Sequence, residues 1–239
     1  MQKIISKPIT TTIITTIIMR DNVEVIVARY AENVAWVEEL GYDFIVYDKG
    51  GDMVTKATPL PNIGREGHTY LTHIVRNYDR LATTCVFLQG DPFDHIDEHG
   101  KGDAGMLRKM IADVVERGVP FKGFAWFKLK CDHLGRPHDL HNPENEGRWA
   151  GWGRDIPVGD LFSKLFDAAP PAQIITRAPT GNFAVSGERI RTRPLDFYKY
   201  ALQLIETDAD DAHNTGHALE RLWQYIFNGN TAWNKAEYK

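Results

Sequence analysis

The sequence predicts one α/β domain, built on a mainly parallel central sheet flanked by helices. Short apolar runs alternate with stretches of helical periodicity in the first half of the chain, as in βαβ units. These runs are continuously apolar, which is typical of strands buried on both faces. The chain has 239 residues, 43% of them hydrophobic, which is sufficient for one large core. Right-handed crossovers are expected between the parallel strands.

The first elements alternate in the expected way. Residues 23–29 predict a strand, and residues 34–40 predict a short helix that ends at Gly41. Residues 44–47 predict a second strand, which stops at the turn formed by residues 48–51.

A longer amphipathic helix begins after Arg65. Its buried face is predicted from apolar residues at helical spacing, namely Tyr70, Leu71, Ile74, Val75 and Tyr78. Residues 84–88 then form the next strand. The remaining patterns predict helices at 106–115, 161–166, 195–205 and 217–227, and strands at 123–129, 173–177 and 182–185.

The chain divides into three regions. Residues 1–22 are rich in Ile and Thr and predict a β-prone extension, and residues 230–239 form a C-terminal tail. Residues 23–229 form the single domain. Within it, residues 131–160 are rich in Gly, Pro, Asn and His and predict a long loop, which is a common place for functional residues.

Composition restricts the partners. A net charge of -4 and a pI near 6.1 give no electrostatic reason to expect nucleic acid. No segment has the run of about 20 apolar residues that a membrane span requires. Two cysteines cannot build a disulfide framework, and Cys85 lies in an apolar run, as a core residue would. We therefore expect a cytoplasmic protein, with peripheral attachment to a membrane as an open alternative.

Two polar clusters follow predicted turns and strand ends, and both are expected at the carboxyl edge of the sheet, where α/β folds bind ligands. The first cluster contains Arg65 at the start of a predicted helix. A cation there opposes the helix dipole unless an anion lies beside it, so Arg65 indicates an anion-binding site. The alternative is a purely structural role for this cluster, as a turn in which Asn62 caps the helix. The clusters comprise Asn62, Gly64, Arg65 and Glu66, and Gln89, Gly90, Asp91, Asp94 and His95.

The second cluster has the chemistry of a divalent-cation site. Mg²⁺ or Mn²⁺ is commonly held by one or two carboxylates together with substrate phosphates, so Asp91 with Asp94 or His95 would suffice. A turn that terminates the strand is the alternative. A zinc site is disfavoured, because the spacing of Cys131, His133, His138 and His141 matches no common pattern.

The last helix offers a candidate base. Its buried stripe is apolar, and Glu220 lies beside that stripe, where it could face a cleft and act as a general base. A solvated ion pair with its neighbour Arg221 is the alternative. Trp149 and Trp152 in the long loop suit either a sugar-binding platform or core packing.

Four blocks of the chain, at residues 27–36, 62–95, 182–190 and 216–223, resemble the domain-of-unknown-function family 3431. The resemblance runs in order from about residue 23 to about residue 227. That family is similar in layout to the GT-A glycosyltransferases, which use nucleotide-sugar donors on a Rossmann-like sheet. The resemblance therefore implies a GT-A-like fold and a glycosyltransferase activity.

The resemblance also implies residue roles. The first strand ends in Tyr30-Ala31-Glu32 where many GT-A enzymes have Tyr-Asn-Glu, and Asn62-Ile63-Gly64 matches their Asn-x-Gly. The Asp-x-Asp metal motif aligns with Gln89-Gly90-Asp91, which lacks the first Asp. The implied donor site comprises Tyr30, Glu32, Asp48, Asn62, Gly64, Arg65, Glu66 and Gln89. The implied acceptor side comprises Trp149, Trp152, Ser186, His217 and Arg221, with Asp91 and Glu220 catalytic.

The expected function is transfer of a sugar from a nucleotide-sugar donor to a polysaccharide or glycoconjugate, assisted by Mn²⁺ or Mg²⁺. Two alternatives stay open. One is a non-catalytic nucleotide- or sugar-binding protein of the same fold, which the departure at Gln89 favours. The other is a metal-dependent hydrolase that uses Asp91, Asp94, His95 and the histidines of residues 133–141.

Overall fold

A six-stranded mixed sheet forms the centre of the molecule in the computed structural model, which describes residues 22–52, 57–137, 154–177, 179–208 and 210–228. A separate two-stranded sheet pairs β6 (Leu129–Cys131) with β7 (Ile174–Thr176) in antiparallel fashion. The strands of the central sheet are β1 (Val23–Arg29), β2 (Asp43–Asp48), β3 (Ala57–Pro59), β4 (Thr84–Gln89), β5 (Phe121–Gly123) and β8 (Phe183–Ser186).

The strand order is β3-β2-β1-β4-β8-β5, and most of the sheet is parallel. β1 pairs in parallel with β2 and β4, and β2 pairs in parallel with β3. β8 is antiparallel to both β4 and β5. The predicted mixed α/β fold with a mainly parallel sheet is therefore confirmed. The chain leaves β1 first towards β2 and later returns to β4 on the other side, so a crevice is expected at the carboxyl end of β1.

Helices cover both faces of this sheet. They are α1 (Arg65–Asn77), α2 (Phe93–Ile96), α3 (Ala104–Glu116), α4 (Val158–Phe166), α5 (Gly187–Ile190), α6 (Leu195–Glu206) and α7 (Ala212–Phe227), with 3₁₀ helices at Ala35–Leu40 and Tyr78–Arg80. Successive side chains of β1 point to opposite faces of the sheet. Ile26 and Ala28 belong to the core formed with α1, α4, α6 and α7, whereas Val25 and Val27 belong to the core formed with α3 and the first 3₁₀ helix. Each face thus has its own core.

Some element boundaries differ from the prediction. The predicted strand at 123–129 is wrong, because the chain leaves the central sheet after Gly123 and re-enters a sheet only at Leu129. The last helix begins at Ala212, before the apolar stripe, because the Asp211 carboxylate caps it by accepting the Asn214 N–H. The short strand β3 was not predicted, since a segment that ends in Pro59 has little strand character.

Several predictions lie partly outside the described residues. They concern the extension at 1–22, most of the long loop and the C-terminal tail. Within the described residues, no helix combines the length and apolar character needed to cross a membrane. Cys85 and Cys131 are both buried free thiols, as was predicted for Cys85.

Candidate functional site

A cleft of about 400 Å³ opens where β1, β2 and β4 end. The parallel strands bring their carboxyl ends to one edge, so both predicted polar clusters contribute side chains to it. The cleft is lined by Ala28, Arg29, Tyr30, Glu32, Lys49, Asn62, Arg65, Glu66, Gln89, Gly90, Asp91 and His213.

One wall is fixed by a buried arginine. Arg29 Nη1 donates hydrogen bonds of 2.7 Å to Asp48 Oδ1 and 2.6 Å to Asp52 Oδ1. The Asp48 carboxylate also accepts the backbone N–H groups of Gly50 and Gly51 at 3.2 and 3.1 Å. Asp48 is therefore a buried support that lies behind the lining of the cleft, although the resemblance implied a place for it in the donor site.

The loop after β1 closes against the loop after β4. Glu32 Oε2 accepts hydrogen bonds from the backbone N–H groups of Tyr30 at 2.7 Å and Ala31 at 3.2 Å. A Cβ atom at Gly90 would lie 2.5 Å from the same oxygen, so a larger residue there would displace the Glu32 carboxylate. Glu32 thus serves the loop, while the Tyr30 ring remains 54% exposed at the mouth of the cleft.

Gln89 ends β4 and is held by a buried amide. Asn182 Nδ2 donates to Gln89 Oε1 at 3.2 Å, and the Gln89 N–H donates to Asn182 Oδ1 at 2.9 Å. Because the side-chain oxygen of Gln89 already accepts a hydrogen bond from Asn182, the NH₂ group of Gln89 is the part that can bind a ligand, as a donor.

The turn before α1 is unusually shaped. Gly64 has φ 59° and Arg65 has φ 51°, so two successive residues adopt the left-handed region. This is costly for arginine, and such strain concentrates at functional sites. Lys49 Nζ stabilises the turn by donating to the carbonyls of Ile63, at 2.6 Å, and Arg65. Burial lowers the pKa of Lys49 to about 8.

The Arg65 guanidinium is only partly used by the protein. Its Nε donates to Glu220 Oε1 at 2.8 Å and lies 3.6 Å from Glu66 Oε2. The terminal Nη groups make no hydrogen bond with the described residues, and the side chain is 23% exposed in the cleft. These donors are consequently available to an anionic ligand.

Behind this arginine lie two buried carboxyl groups. Glu66 lines the cleft, whereas Glu220 on α7 lies beneath that lining. Burial, and then the nearby charge and hydrogen bonding of Glu66, raise the pKa of Glu220 well above its ordinary value. Glu220 thus contacts Arg65 and Glu66, and its predicted role as a base remains a prediction.

α7 also brings a histidine to the cleft. A Cβ atom at Gly216 would lie 2.5 Å from the Gly64 carbonyl oxygen, which shows how closely α7 approaches the turn. His213, one helical turn earlier, lines the cleft. His217 and Arg221, both predicted on an acceptor side, are buried along α7 and do not line it.

The predicted metal ligands are not gathered into a cluster. Asp91 lines the cleft and is exposed, but Asp94 and His95 lie in α2 outside the lining. Within the described ranges, no group of three His, Cys, Asp or Glu side chains is placed to hold a metal ion.

Ser186, which was also predicted on the acceptor side, does not lie at the cleft. Ser186 pairs with Thr84, at the amino end of β4, and therefore lies at the opposite edge of the sheet. There its hydroxyl caps α5 by accepting the Arg189 N–H at 3.0 Å. Trp149 and Trp152 lie outside the described residues.

Three polar lining residues were missed from the sequence, namely Arg29, Lys49 and His213. Arg29 ends β1 and Lys49 immediately follows β2, so their positions at strand ends were available signals. His213 could have been found from the N-cap residue Asp211, which places it in the first turn of α7.

Comparisons with known proteins identify a family. A family model described as a protein of unknown function (DUF3431) matches residues 25–239. A search of curated proteins and a search of solved structures each gave no match.

Proposed function

The chain belongs to the DUF3431 family of proteins of unknown function, and we propose that it is a glycosyltransferase that uses a nucleotide-sugar donor. The observation that carries this proposal is the cleft itself. It lies at the carboxyl ends of β1 and β4, where the strand order reverses, and combines an exposed aromatic ring, free guanidinium donors and an amide donor. These groups suit the base, the diphosphate and the hydroxyl groups of such a donor.

Each part of the ligand has a proposed contact. The Tyr30 ring offers a stacking surface for the base. The Nη groups of Arg65 offer bidentate hydrogen bonds to the diphosphate, whose negative charge would also suit the adjacent helix N-terminus. Asn62 and Gln89 also line the cleft and supply neutral amide donors for hydroxyl or phosphate oxygens.

A divalent cation fits this cleft only together with a diphosphate. Asp91 is the exposed carboxylate at the end of β4, and one carboxylate with phosphate oxygens is a usual Mg²⁺ arrangement. A bound cation would supply charge neutralisation to the leaving diphosphate. The resemblance to GT-A enzymes supports this assignment, since Gln89-Gly90-Asp91 occupies the place of their metal motif.

The first test is thermal unfolding with nucleoside diphosphates and nucleotide sugars, each with and without Mn²⁺. A ligand at about a hundred times its Kd should stabilise the fold by about 2.7 kcal/mol, which raises Tm by roughly 5–10 °C for a chain of this size. Tyr30→Ala should reduce this shift. Tyr200→Ala, which removes another exposed aromatic ring on α6, is the matched control.

The absence of any shift with every nucleotide would overturn the proposal. Where a nucleotide sugar binds, release of the nucleoside diphosphate should follow on addition of a carbohydrate acceptor. A shift with Mn²⁺ alone, without a nucleotide effect, would favour the metal-dependent hydrolase.

The second candidate is a non-catalytic nucleotide- or sugar-binding protein. It is favoured by Gln89, whose amide oxygen is already bound by Asn182 where a metal-binding carboxylate would be expected. This candidate predicts binding without release of diphosphate for any acceptor.

A further inference from the structure

Glu66 combines deep burial with a place in the lining of the cleft. Its side chain is 6% exposed, and its Oε1 atom has no hydrogen-bond partner among the described residues. Leaving a buried polar atom unpaired costs roughly 1–3 kcal/mol, and more for a charged group, so a ligand or a water is expected to supply the missing partner.

The neighbouring cation does not supply the partner that Glu66 Oε1 lacks. Arg65 Nε donates to Glu220 at 2.8 Å and lies 3.6 Å from Glu66 Oε2, too far for a direct hydrogen bond. On another side, a Cβ atom at Gly181 would lie 3.0 Å from Glu66 Cγ and 3.1 Å from Oε1. Glu66 is therefore packed from behind with Oε1 itself buried, and the small part of the side chain that stays exposed lines the cleft.

Glu220 supports this arrangement from α7. Two buried carboxyl groups in contact cannot both ionise cheaply, and burial together with the charge of Glu66 favours the protonated form of Glu220. A neutral Glu220 can accept from Arg65 through one oxygen and donate to Glu66 through the other. Glu66 is then held as a hydrogen-bond acceptor.

The chemistry of the cleft restricts what Glu66 can bind. A carboxylate accepts hydrogen bonds and repels phosphate. A cation is disfavoured as the partner of Glu66 itself, because Arg65 Nε already lies 3.6 Å from its Oε2, whereas the proposed divalent cation lies at Asp91. The neutral donors of a nucleotide sugar are its hydroxyl groups and the N–H groups of its base. Since the base is assigned to Tyr30, a hydroxyl group of the sugar remains as the partner of Glu66.

We propose that Glu66 accepts a hydrogen bond from a hydroxyl group of the sugar in the cleft, and that Glu220 is the positioning residue that holds Glu66. This inference rests on the proposed function for the identity of the sugar. The two carboxyl groups therefore have different roles: Glu66 contacts the ligand, and Glu220 acts through Glu66.

Calorimetric titration of wild type, Glu66→Gln and Glu220→Gln tests the proposal. The probes are UDP, GDP, UDP-glucose and GDP-mannose, and the quantity compared is the affinity of each nucleotide sugar relative to its own diphosphate. Glu66→Gln should lower that ratio about tenfold, because a hydrogen bond to a charged group is lost. A third variant, Glu220→Leu, removes the group that can donate to Glu66 and should also lower the ratio, whereas Glu220→Gln keeps a donor there and should leave it within about twofold. A wild-type ratio in Glu220→Leu would remove the positioning role.

If Glu66→Gln does not fold, Glu66→Asp is used in its place. Aspartate keeps the charge but withdraws the carboxylate by one carbon, so it should lower the same affinity ratio. An unchanged ratio in the Glu66 variants, or equal losses for the diphosphate and the nucleotide sugar, would overturn the inference while leaving the proposed function intact.

The two proposals can fail separately. If wild type binds none of the four probes and no nucleotide of the thermal-unfolding panel, the proposed function fails. Free glucose and mannose are then titrated into protein labelled with ¹³C at glutamate carboxyl groups, with the Glu66 resonance assigned by its loss in Glu66→Gln. Movement of that resonance would support a hydroxyl-binding role, and no movement would overturn it.

Discussion

Arg29 and Arg65 both line the cleft, but the protein uses them differently. Arg29 is almost wholly occupied by Asp48 and Asp52 and by backbone carbonyls, so it shapes the wall. Arg65 gives one nitrogen to Glu220 and keeps its terminal nitrogens for the cleft. At the scale of single residues, therefore, Arg29 should determine stability and Arg65 should determine binding.

The substitution Arg29→Met should lower the free energy of unfolding by about 3 kcal/mol, because it leaves the buried Asp48 carboxylate without its cation. Urea unfolding at neutral pH measures this loss. The control is Arg117→Met, which removes an exposed ion pair with Asp113 and should cost less than about 1 kcal/mol. Equal losses in the two variants would show that Asp48 does not depend on Arg29.

The sequence could indicate which residues reach the cleft, but not how they pair. Tyr30, Gln89 and Asp91 follow strand ends, and parallel strands carry such residues to one edge. The contact between Arg65 and Glu220 joins residues 155 positions apart, and no local pattern predicts it. For the same reason, Glu220 looked like a residue facing a cleft until α7 was seen to lie behind Glu66.

At the scale of elements, the cleft depends on how closely α7 packs against the start of α1. A Cβ atom at Gly67 would lie 3.0 Å from Leu219 Cδ1, and one at Gly216 would lie 2.5 Å from the Gly64 carbonyl oxygen. Backbone meets backbone at the second contact, which a side chain cannot relieve by changing rotamer. This approach brings His213 and Glu220 to their positions.

The substitution Gly216→Ala should therefore separate the two helices. We expect a loss of about 1–3 kcal/mol in unfolding free energy, as for other overpacked contacts, and weaker binding of any cleft ligand. Gly105→Ala in α3 is the matched control, since that position is exposed and alanine favours helix by up to about 1 kcal/mol. Denaturant unfolding of both variants measures the change in unfolding free energy. A Gly216→Ala protein as stable as wild type would contradict this packing.

Elements with strong local signals were predictable, and those set by distant contacts were not. The apolar runs of β1, β2 and β4 identified the parallel centre of the sheet. The pairing of β5 with the β8 side reaches only to the Phe124 N–H, which donates to the Asn182 carbonyl at 2.9 Å, and beyond it the Trp126 N–H donates to the His95 carbonyl at 3.1 Å. These bonds form between segments far apart in the chain, so residues 123–129 read as one continuous strand.

At the scale of the whole molecule, four histidines share one electrostatic behaviour, although His68 and His217 are buried, His95 is half-buried and His213 is exposed. Burial lowers the pKa of His68, His95, His213 and His217, most strongly for His217, whose pKa falls to about 3. The guanidinium groups of Arg65, Arg221 and Arg154 and the neighbouring His213 add to the effect on His217. The fold therefore favours neutral imidazoles, whereas the unfolded chain protonates them at ordinary pKa values.

This difference makes the protein sensitive to acid. Between pH 6.5 and about pH 3, the unfolded state binds a proton at His217 that the folded state does not, so stability falls as the pH falls. One such histidine contributes a slope of up to about 1.4 kcal/mol per pH unit. Glu220 acts in the opposite direction, because its raised pKa lets the folded state hold a proton that the unfolded state has released.

The two effects can be separated by removing the carboxyl group first. In the Glu220→Gln protein, the unfolding free energy should decline from about pH 7 to about pH 4.5, and adding His217→Gln should make that decline shallower. Urea unfolding at several pH values across this range measures both slopes. Parallel declines in the single and double variants would show that His217 takes up its proton equally in the folded and unfolded chains. A shallower decline would establish that the tight approach of α7 to the cleft, which buries His217 among cations, is maintained at the expense of stability in acid.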